Sequence, residues 1–200
     1  MRAALILNSP EPIENVTESK VIFADGGYKN AAAVKNADVL GVVGDFDTLD
    51  KIPAGEKIVK LEREKNFTDG ERAVYFAKEC GVTELIVYGA TGGRLEHVLG
   101  NIRLLKIADK LNIKAIIKYG GNAIELIKGE VNLKVKKGGV VSIFPYGGEC
   151  TFATSHGLYY PLYNLTLTYA DTRGISNVAT KDEIYLNANN GEAIIIYERN

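Results

Sequence analysis

The chain has 200 residues, 46% hydrophobic and 24% charged, and its 24 basic and 25 acidic side chains leave a formal net charge of -1. That composition excludes disorder and suffices for one large domain or two small ones, while a balanced charge without a basic block excludes nucleic acid as the main partner, since phosphate neutralisation needs clustered Lys and Arg. Cys80 and Cys150 are too few for a disulfide framework and point to a reducing, cytoplasmic setting. No apolar run approaches the roughly 18 residues of a membrane span, and Met1 to Pro12 has too short an apolar core for a secretory signal, so no membrane is expected.

Short apolar runs from Ala3 to Leu7, Val21 to Ala24, Val39 to Val43 and Ile58 to Leu61 predict strands, and a helix is expected from Tyr28 to Lys35. Between Thr68 and Cys80, apolar Ala73, Phe76, Ala77 and Cys80 follow the i, i+3, i+4, i+7 spacing of a helix that Gly81 stops. A strand from Glu84 to Tyr88 follows. Arg94 to Asn112 then reads as a helix, with Leu95, Val98, Leu99, Ile102 and Leu105 along one side, and Lys114 to Tyr119 as a strand. Alternation of this kind implies parallel pairing. Residues 1–119 therefore read as an α/β, Rossmann-like parallel-sheet domain. After Gly120 and Gly121 the texture changes to short alternating segments, Ala123 to Ile127, Val140 to Phe144, Leu165 to Tyr169, Ile184 to Leu186 and Ala193 to Tyr197, with turns at Gly147-Gly148 and Asn189-Asn190-Gly191. Residues 122–200 read as an all-β antiparallel sandwich.

Three features of the first part fall where a strand ends, the place where open parallel sheets bind ligands. Ala24-Asp25-Gly26-Gly27 combines a carboxylate with bare backbone. Glycine lets a phosphate approach, and Asp25 would repel it unless a cation lay between; a helix-capping turn is the plainer alternative. In Gly44-Asp45-Phe46-Asp47-Thr48, two carboxylates stand two residues apart. On extended chain they share one side, and at about 6 Å with an effective dielectric near 20 they repel by about 3 kcal/mol. A divalent cation removes that cost, and Mg²⁺ suits hard carboxylate oxygens; a solvated acidic turn is the other reading. Gly89-Ala90-Thr91-Gly92-Gly93-Arg94 links strand to helix without the Lys-Ser or Lys-Thr of a Walker A loop or the glycine spacing of a dinucleotide fingerprint. Arg94, His97 and Asn101 share one helix edge at 100° per residue, although a surface arginine and a helix-start histidine would look the same. Thr68 and Glu71 fit a capping box that does not need Asp69, which leaves Asp69 for metal or phosphate, or for the helix dipole. Lys65 is placed to neutralise phosphate charge.

Taken in order, these strings together with Ser142-Ile143-Phe144-Pro145, Gly157-Leu158 and Ile175-Ser176-Asn177 resemble the thiamine pyrophosphokinase family over nearly the whole chain. The resemblance implies an enzyme that moves diphosphate from ATP to the hydroxyl of thiamine and releases AMP, a homodimer with the active site between subunits. It implies Asp25, Asp45, Asp47 and Asp69 as carboxylates for Mg²⁺ and the ATP phosphates, with Lys65 and Arg94 offsetting charge. Gly26, Gly27, Thr48, Thr68, Gly92, Gly93, His97 and Asn101 would complete the nucleotide side. Tyr160 would pack on the thiamine pyrimidine ring, with Ser176 and Asn177 as a substrate hydrogen-bonding pair. Three positions depart from the family pattern: Thr48 stands for Ser, Asn66 for Asp, and Glu96 for Asp. Thr48 keeps the hydroxyl, Asn66 removes a charge, and Glu96 points about 200° from Arg94 on a helical wheel. Two other readings stay open: a metal-dependent pyrophosphokinase or phosphohydrolase acting on another alcohol or nucleotide, and a non-catalytic thiamine or nucleotide sensor.

Overall fold

In a computed structural model of the protein, residues 1–13, 15–34, 36–46, 57–60 and 67–200 are described. The chain divides into two compact units, Met1–Tyr119 and Gly120–Asn200.

Among the described residues the first unit has strands β1 (Arg2–Ile6), β2 (Lys20–Ala24), β3 (Asp38–Gly44), β4 (Ile58–Lys60), β5 (Glu84–Tyr88) and β6 (Lys114–Tyr119). They run in the order β6-β5-β1-β2-β3-β4, every pairing parallel. Beyond their first residues β1, β2 and β5 are wholly buried, which is why their sequences are continuous apolar runs rather than alternating ones. Helix α1 (Asp69–Glu79) begins where the Thr68 hydroxyl accepts the Glu71 backbone N–H at 3.2 Å, and Gly81, at φ +77°, follows its end. Its Ala73, Phe76 and Ala77 are buried, with the Phe76 ring seated over Gly41 of β3. Helix α2 (Leu95–Lys110) buries Leu104, Leu105 and Ala108 in its second half, whereas Leu95 and Leu99 in its first half are exposed.

The second unit contains β7 (Asn122–Lys134), β8 (Val140–Pro145), β9 (Cys150–His156), β10 (Leu165–Leu167), β11 (Asn177–Val178) and β12 (Glu183–Glu198), all paired antiparallel. The long β12 pairs with β7 along one edge. Its other edge pairs first with β9, through Asn190, and then with β8, from Ala193. The expected turn at Asn189-Asn190-Gly191 is instead the irregularity within this strand where the partner changes. Phe152, Leu167, Ile143, Ile184 and Ile195 fill the core of the unit. Tyr197 donates its hydroxyl hydrogen to buried Glu125 across the β7–β12 pair. Burial, followed by the neighbouring Glu125 charge, pushes the tyrosine's pKa well up.

The expected fold class, an α/β Rossmann-like domain followed by a β-sandwich, is corrected by this architecture in its Rossmann-like part. Among the described residues strands dominate and α-helices are few, with parallel pairing in the first unit and antiparallel pairing in the second. The expected helix from Tyr28 to Lys35 is a 3-10 segment, Asp25–Ala33, and no helix is present among the described residues between β1 and β2. A Rossmann-like unit needs helices after successive strands to cover both faces, and that succession is missing here. In the second unit β12 pairs with β9 along its first part and with β8 along its second, an all-β antiparallel arrangement.

The segment between β1 and β2 is held by Glu18, whose side chain is 1% exposed. Its carboxylate accepts hydrogen bonds from the Arg2 guanidinium and the Tyr88 hydroxyl, each at 2.9 Å, with the Lys118 ammonium 3.9 Å away. Burial alone would raise its pKa; the hydrogen bonds from Tyr88 and Arg2 and the charge of Lys118 outweigh that and hold it below the ordinary 4.5. A depressed carboxylate stabilises the fold above its unfolded pKa and loses that contribution as pH falls through the folded value. Glu18→Gln is therefore expected to destabilise the protein by about 1–3 kcal/mol near neutrality. Thermal midpoints measured across pH should show a constant gap from wild type down to about pH 5, closing in stronger acid. A gap that widens with acid would contradict this account.

Candidate functional site

In the first unit the candidate loops converge on the carboxyl end of β1, at Ile6 and Leu7. The chain leaves β2 into Asp25, which is 5% exposed and held at φ +40°. Gly27 comes so close to β1 that an added Cβ would lie 2.2 Å from the Ile6 carbonyl oxygen. At the end of β3 the same test at Gly44 gives 2.8 Å to the Asp25 Cβ. Asp25 thus rests on Gly44, the residue immediately before Asp45, and Phe46 at φ +62° is buried as the chain turns away. Gly70, next to Asp69 in the first turn of α1, packs on the Leu7 side chain, and Gly89 at the end of β5 lies against the Leu7 carbonyl oxygen. Gly92 and Gly93 face Glu11 and Pro10, so the β1–β2 segment that Glu18 anchors also backs the glycine-rich loop.

Asp25, Gly26, Gly27, Asp45 and Asp69 are therefore placed at the carboxyl ends of the parallel strands, with Thr68 capping α1. Asp47, Thr48, Lys65 and Asn66 lie outside the described residues. Among the described residues no group of three or more His, Cys, Asp or Glu side chains forms a metal cluster. Asp25 and Asp45 are hard oxygen donors of the type of which Mg²⁺ commonly takes one or two, completing its octahedron with water and substrate phosphates.

Along the start of α2, Arg94 stands at the N-cap with extended backbone, and its Nε meets Glu96 Oε1 at 2.5 Å. The helical-wheel angle separating Arg94 from Glu96 fails because Arg94 is not yet helical. Glu96's own backbone N–H, followed by the guanidinium, holds its carboxyl below the ordinary range. His97 is exposed and donates its backbone N–H to the Arg94 carbonyl. Asn101 donates its side-chain N–H to the Ala90 carbonyl at 3.1 Å, tying α2 to the glycine-rich loop.

In the second unit Tyr160, Ser176 and Asn177 are brought together. The Tyr160 ring is 64% exposed and stands edge-on to Tyr159, with centroids 4.9 Å apart. Ser176 is exposed at φ +60°, its backbone N–H held by the Ser142 hydroxyl at 3.0 Å. Asn177 is buried, and its amide bonds to the Tyr160 backbone. Cys150 is fully buried, and burial, with the Glu192 charge, pushes its thiol up to about 11, so it is not a nucleophile at neutral pH.

Two structural residues escape a reading by motif. Glu18 is a single acid before a strand, with no spacing to mark it. Tyr159 is distinguished from Tyr160 only once its ring is seen to be the neighbour that orients the other.

The chain matches the family model for the thiamin pyrophosphokinase catalytic domain over residues 14–117 and that for the thiamin pyrophosphokinase vitamin B1 binding domain over residues 128–191. It is 31% identical over 162 residues to the thiamine pyrophosphokinase of Bacillus subtilis (strain 168), covering 76% of each chain. It is 24% identical over 157 residues to thiamin pyrophosphokinase 1 of Caenorhabditis elegans, covering 72% of this chain and 64% of that one. Among solved structures, it superposes on thiamine pyrophosphokinase from Bacillus subtilis with a TM-score of 0.86 at 23% identity, covering 100% of both chains. Thiamin pyrophosphokinase from Candida albicans gives 0.81 at 16% identity, covering 100% of this chain and 90% of that one. At these identities the structures establish the fold, which replaces the Rossmann-like expectation.

Gly44→Ala tests the convergence directly. The added methyl would displace Asp25, so stability should drop by about 1–3 kcal/mol, with turnover falling further than that loss of folded protein accounts for. Denaturation midpoint and kcat measured on one preparation check both, and unaltered turnover in a destabilised protein would separate Asp25 from the chemistry.

Proposed function

The chain belongs to the thiamin pyrophosphokinase family, enzymes that transfer diphosphate from ATP to thiamine, and we propose that it carries out this transfer with Mg²⁺ at the carboxyl ends of its parallel strands. The observation that carries the assignment of residues is the contact of Gly44 with Asp25, which sets a buried carboxylate beside the residue preceding a second one.

The thiamine hydroxyl oxygen attacks the β-phosphorus in line. A new oxygen–phosphorus bond forms, the bridge between the α- and β-phosphorus breaks, and AMP leaves with the electron pair. Little covalent work falls to the protein, so orientation and charge placement dominate. Asp25 and Asp45, with Asp47 and Asp69, would hold Mg²⁺, which when bound neutralises phosphate charge as it develops. Gly26, Gly27, Thr48, Thr68, Gly92 and Gly93 offer backbone or hydroxyl groups to the phosphates, and Lys65 and Arg94 add positive charge. His97 and Asn101 border the nucleotide. One carboxylate accepts the hydroxyl proton, a contribution typically of about 10² to 10⁴ in rate.

The second unit carries the thiamine side, with the exposed ring of Tyr160 as a stacking face and Ser176 beside it. A homodimer with the active site between subunits belongs to this reading, and sedimentation analysis checks it. So does a cytoplasmic setting, supported by free Cys80 and Cys150; among the described residues no helix is long and apolar enough to cross a membrane.

Incubation with ATP, Mg²⁺ and thiamine should yield AMP and thiamine diphosphate in equal amounts, and chelation of the metal should stop the reaction. Release of phosphate and ADP, or binding without product, would refute the proposal. Asp25→Asn and Asp45→Asn should each lower kcat by at least about 10²-fold. Full turnover in both variants would remove these residues from the assignment.

A further inference from the structure

The segments 157–160 and 177–180 run antiparallel. The Thr180 N–H donates to the Gly157 carbonyl, Leu158 bridges Ala179, and the Tyr159 N–H donates to the Val178 carbonyl at 2.8 Å. The next rung has a side chain in it. Asn177 Oδ1 accepts the Tyr160 backbone N–H at 3.0 Å, and Asn177 Nδ2 donates to the Tyr160 carbonyl at 2.7 Å. The same Oδ1 also accepts the Val178 N–H at 2.8 Å, which fixes the orientation of the amide: reversed, it would set an NH₂ against two N–H donors.

A carboxamide is a peptide group on a short stem, so it continues the ladder where the two backbones diverge. Both backbone groups of Tyr160 are thereby satisfied by one side chain. Pro161 follows and confines Tyr160 to extended backbone, and the Leu162 N–H is fastened to the buried Ser155 hydroxyl at 2.7 Å. Tyr159 completes the arrangement by meeting the Tyr160 ring edge-on. The outcome is an exposed aromatic ring on a backbone that cannot swing.

We propose that Asn177 is a positioning residue, whose amide is spent on the Tyr160 backbone and which acts on thiamine only through the Tyr160 ring. This rests on the reading of Tyr160 as the thiamine-side residue. Aspartate keeps the two accepted hydrogen bonds and loses the donated one, setting a carboxylate oxygen against the Tyr160 carbonyl. It is the informative variant beside Asn177→Ala, which loses all three and is exposed to misfolding.

The test is a kinetic double-mutant cycle of Asn177→Asp and Tyr160→Ala, with thermal midpoints recorded alongside. Asn177→Asp should raise KM for thiamine about tenfold, with KM for ATP and kcat at saturating thiamine held within about twofold. Tyr160→Ala should raise the same KM. The double variant should match Tyr160→Ala alone, because a residue acting through a missing ring has nothing left to act on. Multiplying effects would mean that Asn177 touches thiamine itself, overturning the inference while leaving the thiamine reading intact. An unchanged KM for thiamine in Tyr160→Ala would overturn the reading of this site and the inference with it. An unchanged KM in Asn177→Asp, with Tyr160→Ala still impaired, would overturn the inference alone.

Discussion

Close backbone contact at the carboxyl end of β1 is the constraint on which the first unit depends. Ile6 and Leu7 are touched by the segment after β2, by the first turn of α1 and by the end of β5, and the two tightest of these approaches, at Gly27 and Gly89, leave no space for a Cβ, as Gly44 leaves none against Asp25. Parallel strands place their carboxyl ends at one level. That general fact brings several loops near one another, but only the absence of side chains at particular positions lets them touch. The carboxylates are therefore set by packing: Asp25 lies where it does because Gly27 reaches Ile6 and Gly44 reaches Asp25.

The second unit solves a related problem with a different device. The Tyr160 ring is exposed, and exposed rings on loops ordinarily move. Here a buried side-chain amide replaces a strand's backbone as the partner of Tyr160, and a second ring limits the first. Rigidity at an exposed residue lowers the ordering cost that a bound molecule would otherwise meet.

Much of this was legible in the sequence, and the failures have physical causes. Strands β1, β2 and β5 announce themselves because buried parallel strands need apolar residues along their length, and α1 because its stripe and its cap coincide. The helix expected from Tyr28 to Lys35 contracts to 3-10 geometry because the chain enters it from Asp25 at positive φ, pressed against Ile6, a tertiary contact that local pattern does not encode. The apolar stripe of α2 marks a helix, but periodicity does not say what covers a face, and Leu95 and Leu99 are exposed. Strand β9 carries no strand signal because Thr, Ala, Ser and His occupy five of its seven positions. The carboxylate strings and Tyr160-Pro161 were visible as motifs. What they did not reveal was support: Glu18 under the β1–β2 segment, and Asn177 under Tyr160.

The path of β12 bears on how the protein is made. Strands β7, β8 and β9 all take partners from this one segment, which is translated after every one of them. While the ribosome is still delivering residues 150–180, three strands have bare edges that only later sequence will satisfy. Such edges invite pairing with other nascent chains. Because the decisive contacts span long stretches of chain, closure of this unit is a late and comparatively slow event. A cell making this protein in quantity therefore depends on whatever keeps those edges solitary until β12 arrives.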